Sequence, residues 1–363
     1  MLMVQHSGWG GVYHYSHRLS EALVERGHEV RLLTGQVAEF GRDRISYRLE
    51  TIFNRWKTSP FRIAKSLAAT PRPDVAHLHI ATHAEFYWIL DYAISNLARC
   101  PSIVTLHEIV AKDFEGWKTV FHKLVCRRST KVIVHGNKNA EEASSALGIA
   151  GQKIAVLDHL GNFGIQTGPE DSKVARSEHP SVLFFGFIEP RKGVDDLIHA
   201  YAKVVARNPG CSLTIAGKPL MDMKPIFELC DRYGLRNRIR FDLRYLPSEA
   251  VARLFQESWL TVLPYTRATQ SAVLFLAFGH GCPVISTNVG AIPEMLKSGV
   301  HGIVVPPSDP SALGDAILDL LGDPGRMSSL RENIRVDCER TFTWGDLGLK
   351  TEQVYSEAVR SAT

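Results

Sequence analysis

Arg191 and Lys192 stand in the stretch FGFIEPRKGVDDLIHAY, where residue type and setting together suggest chemistry. Gly186 ends an apolar run, and the Arg-Lys-Gly that follows opens onto Val194, Leu197, Ile198 and Tyr201 at helical spacing. A cation between the carboxyl end of a strand and the start of a helix is placed to hold a phosphate. A solvated basic turn would look the same. The stretch RATQSAVLFLAFGHGCPVISTNVGAIPE, residues 267–294, offers a second place for an anion. Ser271 or Thr269 can cap the helix that follows. The free N–H groups of its first turn, beside Gln270 and Ala272, suit a phosphate. Residues 273–278 read as plain buried helix, so a binding role belongs to the first turn and to 288–294, which ends on Glu294.

Near the N-terminus, HSGWGGVYHYSHRLSEALVERGHEV sets Gly10 and Gly11 between a strand and a helix starting near Val12. Backbone N–H groups could approach an anion there; the glycines could equally serve only a tight turn. The stretch is not GxGxxG, and no acid about 20 residues on ends a second strand, so the dinucleotide fingerprint fails. His77 and His79, two apart on a strand, share a face, and His107 follows a strand at its carboxyl end. No zinc-like ligand spacing accompanies them, so no metal is expected. One or two of these histidines are expected to be packed and hydrogen-bonded, with His107 best placed to meet a ligand.

The elements that position these residues alternate. Strands are predicted at 1–5, 29–33, 75–80, 102–106, 131–134 and 154–157, with helices at 12–26, 61–69, 84–97 and 138–147. After a polar, turn-rich linker at 166–180 the pattern restarts. Strands follow at 181–185, 212–215, 239–242, 260–263, 283–286 and 302–305. Helices are predicted at 194–206, 224–233, 248–256, 271–280, 310–321 and 326–341, and a last one at 344–361. This is α/β: two doubly wound parallel sheets, with ligands expected at the carboxyl ends of strands and in a cleft between the halves. A chain of 363 residues fits two domains. Apolar content of 45% and charged content of 22% indicate a globular rather than a disordered chain. The formal charge of +4 is too weak to imply nucleic acid. The stretch MLMVQHSGWGG lacks a basic region ahead of an apolar core, so it reads as a strand rather than a signal peptide. Six scattered cysteines without a CxxC pair suit reduced thiols and a cytoplasmic setting.

Taken in order, GWGGV…LVERGHEV, VTLHE, FGFIEPRKGVDDLIHAY, LPY…GCPVISTNVGAIPEML and HGIVVPPSDP resemble the retaining glycosyltransferases of GT-B fold, family 4-like and group 1. The resemblance covers essentially the whole chain. It implies two Rossmann-like domains, 1–168 on the acceptor side and 169–343 for the nucleotide-sugar donor, with the last helix, about 344–363, packing back on the first. It implies sugar transfer from a nucleotide-sugar to an acceptor hydroxyl, with no cofactor and no metal. By that likeness Gly10 and Gly11 lie near donor and acceptor, and His107 contacts the transferred sugar through its ring or neighbouring backbone. Lys192 binds the diphosphate, with Gly186 and Arg191 beside it. Gln270 can bond a sugar hydroxyl, Ser271 and Ala272 offer N–H groups to phosphate, and Glu294 stands in the loop after the matched strand.

The chain departs from the pattern at three places. Phe187 stands where the family keeps an arginine, and Ala268 and Leu276 stand where it keeps two glutamates eight positions apart. Thr269-Gln270-Ser271 resembles a variant of that entry. The departures leave open a sugar-nucleotide-binding homologue without turnover. An epimerase of the same fold would need cleft carboxylates that are scarce here. The stretches FNRWKTSPFRIAKS and GWKTVFHKLVCRRSTK mix basic and aromatic residues. Peripheral contact with an anionic membrane, and a lipid-linked acceptor, would suit them. Solvated helix faces and a glycan or small-molecule acceptor are equally compatible.

Overall fold

A parallel strand is covered by helices on both faces, so it is written as a short, nearly continuous apolar run. The computed structural model describes residues 1–36, 39, 45–54, 63, 72–81, 91, 93, 94, 96, 99–109, 116–158, 160–163 and 177–362, excepting the side chains of 116–119 and 121. The chain divides into two compact units, Met1–Gly161 with Thr343–Thr363, and Asn162–Phe342.

In the first unit the strands are β1 (Leu2–Val4), β2 (Arg31–Gly35), β3 (Arg48–Phe53), β4 (Ala76–Ile80), β5 (Ser102–Leu106), β6 (Lys131–Val134) and β7 (Ile154–Val156). They form one sheet in the order β3-β2-β1-β4-β5-β6-β7, and every pairing is parallel. Helices α1 (Gly10–Glu25), α2 (Gly116–Arg128) and α3 (Asn137–Leu147) belong to it. Leu33, Val4, Leu78, Val104 and Val132 from the five adjacent strands β2, β1, β4, β5 and β6 are fully buried in one core cluster.

The second unit repeats the scheme. Its strands β8 (Ser181–Phe185), β9 (Ser212–Ala216), β10 (Ile239–Asp242), β11 (Leu260–Leu263), β12 (Val284–Thr287) and β13 (Gly302–Val305) are ordered β10-β9-β8-β11-β12-β13. All pair in parallel. Its helices are α4 (Val194–Arg207), α5 (Lys224–Arg232), α6 (Ser248–Glu257), α7 (Ala272–Gly279), α8 (Ile292–Met295), α9 (Pro310–Gly322) and α10 (Pro324–Arg340). The last helix, α11 (Trp344–Arg360), returns to the first unit and packs on α1, where Gly348 faces Ala22 and Arg26 pairs with Glu352. In each sheet the strand order reverses beside the first strand of the unit, β1 or β8, and the carboxyl ends there are the ligand-binding position of such sheets.

Several elements differ from the sequence reading. Helix α1 begins at Gly10 rather than near Val12. β3 was not anticipated. It is a sheet edge, and RLETIF mixes charge with apolar residues, as a half-exposed edge does. Helix α2 was not anticipated either, because GWKTVFHKLVCRR lacks a clean apolar stripe. The predicted helix at 61–69 (Ile63 apart), the boundary at 168 and most of the 166–180 linker lie outside the described residues; of 84–97, residues 91, 93, 94 and 96 are helical. All six cysteines are free thiols. Among the described residues no helix is long and apolar enough to cross a membrane.

Candidate functional site

Two of the expected donor residues of the second unit, Lys192 and Ser271, meet at one buried side chain, Tyr265. After β8 the chain turns at Gly186 and forms a single 3-10 turn, Pro190–Lys192. Gly193 closes that turn with φ +62, and a Cβ there would lie 2.0 Å from the Pro264 carbonyl oxygen. Only glycine allows this approach. The carbonyl of Arg191 accepts from Thr266 N at 3.0 Å, which locks the turn onto the segment after β11. Lys192 Nζ then lies 3.6 Å from the centre of the Tyr265 ring, a cation–π contact. Arg191 Nε donates to Glu189 at 2.6 Å.

Tyr265 reaches the other half of the site through its hydroxyl, 3.3 Å from Ser271 Oγ. Ser271 is the backbone N-cap of α7, but its side chain makes no cap bond. The capping role expected of it is therefore corrected: the hydroxyl is buried against Tyr265. The first turn of α7, at Ala272, presents its positive end, with Leu274 N already donating to Ser271 O at 3.2 Å. Gly186 lies against this turn, since its added Cβ would sit 3.5 Å from Val273. Thr269 gives its carbonyl to Ala291 N at 3.0 Å, and a Cβ on Gly290 would lie 2.1 Å from the Ala268 carbonyl oxygen. The loop leading to half-buried Glu294 is thereby held on Ala268 and Thr269. Gly186, Arg191, Lys192, Thr269, Gln270, Ser271, Ala272 and Glu294 thus belong to one constellation. Sequence reasoning missed Tyr265 as its hub, although LPY flagged the residue. A hollow of about 410 Å³ lined by Glu189, His199, Glu228 and Arg232 includes none of the expected donor residues.

In the first unit the glycine loop follows β1. Gln5 Oε1 accepts from Gly8 N at 3.1 Å and from Thr34 Oγ1 at 3.0 Å, shaping the approach to Gly10 and Gly11. His6 Nε2 lies 2.7 Å from Asp91 Oδ1, both side chains buried. His77, His79 and His107 are all buried on one face of the sheet. Their neighbours include His135 after β6 and Tyr15 of α1. The ring of His107 is thus packed inside the unit, and its backbone N–H donates to Ile80 O at 2.9 Å. Burial first, then the neighbouring histidines, holds His79 and His107 well below the ordinary imidazole range. His77 is pushed down to about 3 for the same leading reason. Both rings of the His79–His107 pair are neutral near pH 7. Among the described residues no three His, Cys, Asp or Glu side chains are grouped to hold a metal ion.

Comparison with known proteins agrees with this architecture. A profile described as Glycosyltransferase Family 4 matches residues 9–159, and one described as Glycosyl transferases group 1 matches 179–323. An uncharacterized glycosyltransferase of Methanocaldococcus jannaschii is 24% identical over 96% of this chain and 95% of its own length. A glycogen synthase of Mycobacterium tuberculosis is 24% identical over 97% of this chain and 92% of its own length. Among solved structures, Anabaena HepE in complex with UDP and glucose superposes with a TM-score of 0.81 at 19% identity, covering 98% of this chain and 99% of that one. Sucrose-phosphate synthase from Thermosynechococcus elongatus gives 0.79 at 21% identity, covering 100% and 99%. These likenesses show the GT-B fold.

Proposed function

The chain belongs to the family 4-like, group 1 glycosyltransferases of GT-B fold, and on that footing we propose that it transfers a sugar from a nucleotide-sugar donor to an acceptor hydroxyl, with retained anomeric configuration and without a metal ion. The observation that carries this is the gathering of Lys192 and the first turn of α7 around Tyr265. Both place positive potential where a diphosphate would depart, and electrostatic stabilisation of that developing charge is the work such a site can do. In the transfer, the bond from the anomeric carbon to the diphosphate oxygen breaks. A bond to the acceptor oxygen forms on the same face, and the acceptor proton leaves with the diphosphate. HepE, of the same fold, is seen with UDP-glucose, which supports a donor of this class. By the family likeness, Gln270 would bond a sugar hydroxyl and His107 would contact the sugar through its ring or neighbouring backbone.

The test is a panel of nucleotide sugars, with release of nucleoside diphosphate measured in the presence of a chelator. We expect turnover with at least one donor, and a loss of roughly tenfold or more in donor affinity for Lys192→Ala. Diphosphate binding without turnover, with acceptors supplied, would replace the transferase by a sugar-nucleotide-binding protein.

One observation favours a membrane-borne acceptor. Val120 and Leu124 of α2, one helical turn apart, are 53% and 44% exposed beside exposed Arg127 and Arg128. Such a face suits the surface of an anionic bilayer.

A further inference from the structure

Adjacent strands of the first sheet bring four histidines to one face. β4 carries His77 and His79, His107 follows β5, and His135 follows β6. Tyr15 of α1 stands edge-on to His79, His107 and His135, at centroid distances of 5.5, 4.8 and 5.4 Å. Trp344 of α11 closes over Tyr15 at 5.5 Å. His77 is satisfied at both nitrogens, with Tyr355 Oη 2.6 Å from Nδ1 and Thr105 Oγ1 2.7 Å from Nε2.

His79 is satisfied at one nitrogen. Its Nδ1 lies 3.2 Å from His107 Nε2, while its own Nε2 is buried with no hydrogen-bond partner among the described residues. Two neutral imidazoles joined nitrogen to nitrogen hold one proton between them, so one donates and the other accepts. Were His79 the acceptor, its proton would sit on Nε2 as a buried N–H with nothing to receive it. As the donor, it leaves only an unused lone pair there. An orphaned buried N–H is the rarer defect.

We infer that His79 is a positioning residue whose Nδ1–H donates to His107 Nε2, fixing His107 as the neutral Nδ1–H tautomer with its ring held against Tyr15. The consequence for catalysis rests on the reading of His107 as the sugar-holding histidine. The Nε2 lone pair of His107 is occupied and Nδ1 carries the proton. The ring can therefore donate a hydrogen bond or present its dipole, and it cannot take a proton from an acceptor hydroxyl. In this arrangement His107 orients and does not act as a base.

The experiment is long-range proton–nitrogen NMR near neutral pH on protein with 15N-labelled histidines, with His107 assigned through His107→Gln. The wild type should show Nδ1–H at His107. His79→Phe keeps the ring shape without the donor. It should move His107 to the Nε2–H form that an unconstrained imidazole prefers. His79→Asn, whose amide N–H can replace the Nδ1–H, should retain the wild-type tautomer. In turnover, His79→Phe should lower kcat roughly tenfold or more, as loss of an orienting partner does. Donor KM should stay within about twofold, and His79→Asn should recover most of kcat. A wild-type His107 protonated at Nε2, or a tautomer unchanged in His79→Phe, overturns the proposal whatever the rates. Absence of turnover with every nucleotide sugar overturns the transferase reading instead, and the NMR result still decides the role of His79.

Discussion

Acid should unfold the first unit before the second. His17, His77, His79, His107 and His122 all lie in Met1–Gly161, and burial holds each below the ordinary imidazole range. His77 falls to about 3, and His17 and His122 to about 4. A pKa lowered on folding means the native state binds fewer protons than the unfolded chain. Stability therefore begins to fall as pH drops through the unfolded value near ~6.5, and it goes on falling until the native values are reached. At pH near 5 each such histidine is protonated in the unfolded chain and neutral in the fold, a penalty of about 2 kcal/mol apiece. His17, His77 and His122 together then remove roughly 6 kcal/mol, against the ~5–15 kcal/mol that holds a typical domain. His79 and His107 act in the same direction. The second unit carries less of this load. His280 falls to about 4, and burial also lowers His301, but Asp337 at 2.8 Å opposes that shift. Denaturant melts between about pH 8 and 5 would read the difference. Tryptophan fluorescence reports mostly the first unit, since Trp259 is the single tryptophan of residues 162–342. Circular dichroism reports both. The fluorescence midpoint should fall steeply below about pH 6.5 and separate from the circular dichroism midpoint. One coincident transition with a midpoint flat across that range would refute the reasoning.

Other outcomes follow from the second unit and from α2. Gly193→Ala sets a Cβ 2.0 Å from the Pro264 carbonyl oxygen at a φ of +62. It should cost roughly 1–3 kcal/mol and weaken nucleoside diphosphate binding, both read by melting with and without UDP or GDP; unchanged values would contradict the packing of that turn. Ala268→Glu restores the acid that the family keeps there, but Ala268 is 9% exposed and lies beneath Gly290. The variant should lower Tm without raising donor affinity, by calorimetry. In vesicle sedimentation, wild type should bind anionic more than zwitterionic vesicles, and the pair Val120→Glu with Leu124→Glu should abolish the preference; no binding by the wild type would remove the membrane reading.

The sequence made the strands legible wherever they are buried on both faces. β5, β6, β8 and β11 were read with their observed bounds, because continuous apolar runs ending in turns have few other meanings. β3 escaped because an edge strand needs no apolar run. At the candidate site, spacing revealed local facts: His77 and His79 on one face, Lys192 at a helix start. It could not reveal Tyr265 beneath Lys192, because that contact joins segments after two different strands. Nor could it show that Tyr15 and Tyr355, from the two helices at opposite ends of the unit's sequence, cover the histidines. Both arise from the order in which parallel strands are laid beside one another.

That order also divides the work of two residues that look alike in sequence. Arg191 is tied down twice, its side chain to Glu189 and its carbonyl to the segment after β11. A charge answered by a carboxylate at 2.6 Å offers little net potential to an arriving anion. Its main contribution is to fix the turn. Lys192, one residue on, rests on the face of Tyr265. An aromatic face attracts an ammonium group without neutralising it, so Lys192 is held in place with its charge intact. The same ring anchors Ser271, at the start of α7. A single buried tyrosine thus sets the spacing between a point charge and a helix dipole. Under the proposed function, a diphosphate would meet positive groups held by an uncharged ring, and Ala268 and Leu276 add no carboxylate to oppose them.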